Sequence, residues 1–145
     1  LNMKNIIPVP KFPNPISVGP REWGEEILLV LSEDNYTMKK LSIKAGKKGG
    51  LQFHRLKDEA SYILSGRMIL RFDDGSGNLS EREVGPGDWF HFPAGCIHQE
   101  EAITDVERIE VSTPHFNDRV RVENSYGLQE GSGLPTTEMH EIEKK

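Results

Sequence analysis

The feature that most constrains this chain is a succession of short strand-like segments between residues 27 and 113. Each segment is apolar or alternates apolar with polar residues, which is the period-2 pattern of a β-strand. Turn signals such as Ser65-Gly66 and Gly85-Pro86-Gly87-Asp88 separate them. Many short strands at this spacing predict an all-β sandwich or barrel. The predicted strands are Ile27–Leu31, Tyr36–Ile43, Leu51–His54, Ala60–Leu64, Arg67–Phe72, Glu81–Val84, Asp88–Phe92, Ile97–Glu101 and Glu107–Thr113.

Length and proline content predict one folded domain with an extension at each end. A chain of 145 residues fits one domain with one core. Prolines are concentrated in residues 1–20, and proline removes a backbone donor and fixes φ, so this stretch is predicted to be an extended arm. The resulting division is an arm over residues 1–24, a β-barrel over 25–127 and a tail over 128–145.

Charge and cysteine content exclude several classes of function. The net charge is -5 and no basic stripe alternates with aromatic residues, so a nucleic-acid partner is not expected. No apolar run is long enough for a membrane helix, and residues 1–8 lack the pattern of a secretory signal. The single cysteine, Cys96, cannot form an internal disulfide. A cytoplasmic location is therefore expected.

Two stretches carry the side chains of a predicted metal site. Gln52 and His54 are two residues apart on a predicted strand and therefore project from the same face. Glu59 follows after a short turn, where a neighbouring strand can bring its carboxylate to that pair. His98 follows the turn Pro93-Ala94-Gly95 and is predicted to point back inward as the fourth ligand. Imidazole, carboxylate and amide oxygens are all competent ligands for a divalent ion.

These two stretches resemble the two sequence motifs of the cupin superfamily. The spacing of Gln52, His54, Glu59 and Gly66 matches the first motif, with Gln52 standing at the position of its first histidine. Gly87, Pro93, Gly95 and His98 match the second motif fully. The resemblance covers roughly residues 36 to 115. It implies a cupin fold, a jelly-roll or double-stranded β-helix barrel, to which the proline-rich arm is added.

The glutamine narrows the resemblance to one branch of the superfamily. A Gln-x-His pair is typical of cupins that are similar to mannose-6-phosphate isomerase, and the segments Glu110–Pro114 and Asp118–Arg121 also resemble that branch. The resemblance implies a metal-dependent isomerase of carbohydrate metabolism that acts on a sugar or sugar phosphate. It also makes Zn²⁺ the first choice of metal, with Mn²⁺, Fe²⁺ and Ni²⁺ as alternatives. Ser61 departs from this branch, which commonly has an aromatic residue there.

The reaction stays open at this point. Aldose–ketose isomerisation needs a group that moves a proton, and His91 and Lys57 are the candidate catalytic residues. Two alternatives share the same metal site: a non-catalytic carbohydrate-binding cupin, and a dioxygenase-type cupin that acts on a small organic molecule. Because such barrels expose a sheet face and an edge, a homodimer is expected.

Several further side chains have two interpretations. Arg67, Arg71 and Arg121, like Lys57, are either solvated charges or ligands of a phosphate or carboxylate. Tyr62 has the opposite parity to Glu59 and is predicted to face outward. Cys96 is either a thiol at the barrel mouth or a small buried residue.

Overall fold

The computed structural model describes residues 7–129 and is built almost entirely of antiparallel strands. One short 3-10 helix, Glu123–Tyr126, follows the last strand. The described residues contain no helix long and apolar enough to cross a lipid bilayer. The strands are β1 Ile16–Arg21, β2 Gly24–Ser32, β3 Tyr36–Ile43, β4 Gln52–His54, β5 Glu59–Ser65, β6 Met68–Asp73, β7 Leu79–Val84, β8 Trp89–Phe92, β9 His98–Ala102, β10 Val106–Ser112 and β11 Arg119–Arg121.

The strands form two sheets that face each other as a jelly-roll barrel. The larger sheet has six strands in the order β1-β2-β3-β10-β5-β8, and the smaller has five in the order β11-β4-β9-β6-β7. All pairings are antiparallel, and consecutive strands frequently cross from one sheet to the other. The predicted all-β barrel is confirmed, and the predicted strand Tyr36–Ile43 has the bounds that the structure shows.

The proline-rich segment is partly a strand. Residues 16–21 form β1, which pairs with β2 and lies at the edge of the larger sheet. Part of the stretch assigned to the extended arm is thus an edge strand, which tolerates proline where no ladder hydrogen bond is needed. The pairing of β1 is indeed interrupted between Ser17 and Pro20. Residues 1–6 of the arm and residues 130–145 of the predicted tail lie outside the described residues.

The barrel interior is divided into an apolar half and a polar half. The apolar half is a single cluster of buried side chains: Ile63, Met68, Leu70, Val84, Phe92, Ala102 and Val106. The polar half lies mainly on β3, β5 and β10, whose buried residues include Thr37, Lys39, Glu59, Ser61, Arg108, Glu110 and Ser112. A barrel interior with this much buried charge needs internal partners, because an unpaired buried charge is costly. This polar half contains the candidate site.

The outer face of the larger sheet carries exposed aromatic and aliphatic side chains. Tyr62 is 48% exposed, which confirms that it faces outward, and its strand partner Trp89 is 76% exposed. Leu64 and Val111 are exposed on the same face. Apolar side chains grouped on a sheet surface are typical of contact surfaces. The homodimer and the cytoplasmic location stay predictions.

The turn between β5 and β6 requires a glycine. Gly66 has φ +85°, and a Cβ there would overlap the carbonyl oxygen of Asp105. We expect Gly66→Ala to lower the free energy of unfolding by about 2 kcal/mol or more, because the left-handed backbone alone costs about 1–2 kcal/mol and the overlap adds to it. Chemical denaturation measures this. Gly75→Ala is the matched control, since Gly75 has φ +94° but open space around its Cα. Equal losses in the two variants would contradict the role of the overlap.

A hydrogen bond fastens the 3-10 helix to β6. Tyr126 Oη donates to Asp73 Oδ2 at 2.5 Å, and this bond raises the pKa of Tyr126 to about 12. Because the pKa is raised in the folded state, the stabilisation is fully present below the ordinary tyrosine pKa of about 10 and is lost as the pH rises towards 12. In an absorbance titration of the phenolates, we expect Asp73→Asn to move one of the three tyrosines from about 12 towards 10. An unchanged curve would show that the bond does not form.

Candidate metal centre

Three side chains from different strands converge inside the barrel. His54, Glu59 and His98 each offer one ligand atom, and these atoms lie within 4.8 Å of one another. Glu59 Oε1 is 3.4 Å from His98 Nε2 and 3.7 Å from His54 Nε2. Among the histidine, cysteine, aspartate and glutamate residues of the described chain, this is the group with metal-binding geometry. Two imidazoles and a carboxylate suit a borderline divalent ion.

The strand register brings these side chains together. His98 begins β9 and lies directly opposite Gln52 of β4, so the two side chains project from the same face. Gln52 and His54 share that face because they are two residues apart on β4. Glu59 begins β5 in the opposite sheet, so the cluster joins the two layers of the barrel. The predicted set of Gln52, His54, Glu59 and His98 is thus consistent with the register.

Hydrogen bonds behind the imidazoles turn their Nε2 atoms towards the cluster. His54 Nδ1 lies 3.0 Å from Asp118 Oδ1, and His98 Nδ1 lies 2.9 Å from the carbonyl oxygen of Cys96. Both partners are acceptors, so each Nδ1 carries the proton and each Nε2 is available as a ligand. The Phe92 ring stacks on the His98 ring at a centroid distance of 4.1 Å and fixes its plane. Histidines held in this way are typical of metal ligands.

The electrostatics of the cluster favour a bound cation. Burial raises the pKa of Glu59, but the hydrogen bond from His98 and the charge of Lys57 hold it well below its usual range. Burial lowers the pKa of His98, but the Cys96 carbonyl and Glu59 raise it to about 10. Glu59 is therefore a charged carboxylate that faces the Nε2 atoms of both histidines. A divalent ion would find this charged ligand already in place, so the residues present fit such an ion.

Lys57 lies against the cluster. Its Nζ is 3.1 Å from Glu59 Oε2 and 3.5 Å from Glu110 Oε2. Burial lowers the pKa of Lys57, but Glu110 and Glu59 raise it above its usual value, so the amine is protonated. Lys57, a candidate for moving the proton, thus lies beside the metal cluster. Its raised pKa makes the amine a hydrogen-bond donor, not a proton acceptor.

The structure does not bring His91 to the cluster. His91 lies on β8 directly opposite Ala60, whereas its neighbour Phe92 lies opposite Glu59. Alternation along the strand therefore turns His91 outward. Its side chain is 60% exposed, and its Nε2 lies 2.8 Å from Asp58 Oδ1. His91 was expected to move a proton at the site. Because its side chain points away from the cluster, it cannot do so.

The arginines and Cys96, whose roles the sequence left open, are resolved by their contacts. Arg67 pairs with Glu83 and Arg71 pairs with Glu81 and Glu101. Arg121 pairs with Glu123 at 2.5 Å. Cys96 packs against the apolar cluster, and its carbonyl oxygen, not its thiol, serves the site.

Three functional residues escape the sequence analysis. Asp118 holds His54 and also accepts hydrogen bonds from the backbone of Leu56 and Lys57. Arg108 and Glu110 face inward on β10, where Arg108 bonds Ser61 and Glu100. The alternation of Ile109 and Val111 predicts the opposite face as the buried one. The usable signal was that Glu110 and Asp118 lie in segments that resemble other cupins.

Comparison with known proteins agrees with this geometry. Residues 40–111 match the family described as the cupin domain. The barrel is a cupin domain. By sequence, the search of curated proteins finds no match.

Solved structures show the same fold at low sequence identity. The capsular polysaccharide assembling protein CapF from Staphylococcus aureus matches with a TM-score of 0.66 and 19% identity, over 75% of this chain and 32% of that chain. Oxalate decarboxylase from Bacillus subtilis matches with 0.65 and 18%, over 80% and 35%. KdgF from Halomonas sp. matches with 0.61 and 17%, over 71% and 89%. The cupin domain here thus spans about a third of the CapF and oxalate decarboxylase chains.

We expect the histidines of the cluster to be required for metal binding. After purification and dialysis against Zn²⁺, Mn²⁺, Fe²⁺ or Ni²⁺ in turn, elemental analysis should find about one ion per chain in the native protein and almost none in His54→Ala or His98→Ala. His91→Ala is the matched control, because His91 is also a strand histidine paired with an aspartate and lies outside the cluster. Equal metal content in the native protein and all three variants would contradict a metal site at His54 and His98.

Proposed function

We propose that this cupin is a metal-dependent enzyme of carbohydrate metabolism that isomerises a sugar or sugar phosphate. The observation that carries the proposal is that Gln52, His54 and His98 of the smaller sheet lie across the barrel interior from Glu59 of the larger sheet, with the protonated Lys57 beside Glu59. The Gln-x-His pair supports the isomerase branch by its resemblance. Zn²⁺ is the first choice of metal, with Mn²⁺, Fe²⁺ and Ni²⁺ as alternatives.

The residues of the chain have distinct tasks in this proposal. His54, Glu59 and His98 would hold the ion, with the Gln52 amide as the proposed fourth ligand, and the ion would supply Lewis-acid polarisation of a carbonyl or hydroxyl. Asp118 and the Cys96 carbonyl keep the imidazoles oriented. Lys57 Nζ would donate a hydrogen bond to the substrate oxygen on which negative charge develops. The buried surroundings strengthen that interaction by excluding water.

The test is turnover across a panel of aldoses and aldose phosphates followed by NMR. We expect aldose–ketose interconversion with metal-loaded protein, loss on chelation, and recovery when metal is restored. Lys57→Met should lower kcat by about 100-fold, since general-acid and electrostatic donors contribute on this scale. Its metal content should stay near that of the native protein. Lys48→Met, at an exposed lysine, is the matched control and should be fully active.

Other results would point to another function. Stabilisation by a sugar without turnover would contradict the isomerase and favour a carbohydrate-binding cupin. Oxygen consumption that depends on bound iron would favour the dioxygenase-type reaction. A Lys57→Met variant with native kcat and native metal content would remove Lys57 from the mechanism.

A further inference from the structure

A second group of charges surrounds Glu26 of β2. Lys39 Nζ lies 2.8 Å from Glu26 Oε1, and an Arg21 guanidinium nitrogen lies 3.5 Å from Glu26 Oε2. Lys57 and Arg119 also interact electrostatically with this carboxylate. One carboxylate therefore serves several cations. Of these cations, Lys57 also pairs with Glu59 and Glu110.

Arg119 is the cation in this group without a partner of its own. Its side chain forms no hydrogen bond or ion pair with any residue between 7 and 129, and its Nε is buried without an acceptor. The Nε of Arg21 is buried without an acceptor as well. Burial lowers the pKa of Arg119, and the charges of Arg121 and Arg21 lower it further, while the carboxylates of Glu26 and Asp118 oppose them. A half-buried guanidinium facing two others is destabilising unless an anion joins them.

The register places Arg119 next to the metal centre. Arg119 of β11 lies directly opposite His54 of β4, so the two side chains leave the sheet on the same face with Cβ atoms about 5 Å apart. Asp118, the preceding residue, holds His54. One short segment thus orients a metal ligand and presents a guanidinium beside it.

The neighbouring arginine of the same strand differs in this respect. Arg121 lies opposite Gln52 and has the same parity as Arg119, but its guanidinium is bound by Glu123 at 2.5 Å. Glu123 also accepts a hydrogen bond from the backbone of Leu51. Arg121 therefore has a structural partner, whereas the residues between 7 and 129 offer the Arg119 side chain no acceptor of its own.

We propose that Arg119, with Arg21 beside it, binds the oxyanion group of the small molecule whose other end lies at the metal centre. The oxyanion is a phosphate or a carboxylate, both of which match the planar fork of a guanidinium. The location of the second end rests on the proposed function, but the anion site itself does not. An anion site at Arg119 and Arg21 would give the enzyme a preference for an acidic sugar or a sugar phosphate over a neutral sugar.

The experiment measures anion binding without turnover. Isothermal titration of metal-loaded and chelator-treated protein with inorganic phosphate, and separately with acetate, is carried out at constant ionic strength. We expect Arg119→Met to weaken binding of the preferred anion about tenfold or more, because a charge-assisted hydrogen bond is lost. The tighter of the two anions identifies the group. Arg67→Met is the control, since Arg67 pairs with Glu83 elsewhere on the barrel, and should bind as the native protein does.

Stability separates this role from a structural one. If Arg119 is kept for a ligand, Arg119→Met should unfold at the same or a higher denaturant concentration than the native protein in the absence of anions. Lower stability of the free variant, or anion affinity equal to that of the native protein, would overturn the proposal. Arg119-dependent phosphate binding in a protein that isomerises no sugar would leave the anion site standing and remove the proposed reaction. If the protein isomerises a sugar but Arg119→Met binds the anion as the native protein does, the proposed reaction stands and the anion site is removed.

Discussion

The Glu59 carboxylate is the interaction on which the rest of the interior depends. Its oxygens face His54, His98 and Lys57, which come from β4, β9 and the loop between β4 and β5. A buried carboxylate without partners is prohibitively costly, so these groups have to be present together. Because Glu59 belongs to the larger sheet and both histidines to the smaller, the same charge that binds a cation also joins the two layers.

The polar half of the barrel follows from that constraint. Lys57 forms ion pairs with both Glu59 and Glu110. Burial and the charge of Glu59 raise the pKa of Glu110 to about 7. Arg108 in turn reaches Glu110 and Glu100. Each buried charge of this network thus has a partner of opposite charge, from Lys57 through Glu110 and Arg108 to Glu100. An interior of this kind contributes less to stability than an apolar core of equal volume, and it is typical of sites built for chemistry.

The sequence predicts the parts of this protein that depend on local pattern. Tyr36–Ile43 alternates regularly and is found with its predicted bounds, and the spacing of His54, Glu59 and His98 anticipates the convergence of these residues. The face to which a side chain points cannot be read from the sequence across a turn. The sequence therefore suggests His91 as a site residue, although its side chain faces solvent.

Residues whose environment is set by distant strands could not be predicted. In β10 the charged residues Arg108 and Glu110 are buried while Val111 is 43% exposed, so hydrophobic alternation indicates the wrong face. The three-residue strand β11 has no pattern long enough to recognise. The Arg119 side chain is left without an acceptor because Glu26 pairs with Lys39 and Glu123 pairs with Arg121.

The hydrogen bonds of Asp118 have a consequence for the order in which the protein is assembled. Asp118 lies 64 residues after His54, yet it fixes that imidazole and the backbone of the following loop. During synthesis the N-terminal strands emerge first and can pair before β11 exists. The barrel can therefore close around an imidazole that is still free to rotate. A metal ion that needs both imidazoles oriented would therefore find its site complete only after the three-residue strand β11 has paired with β4.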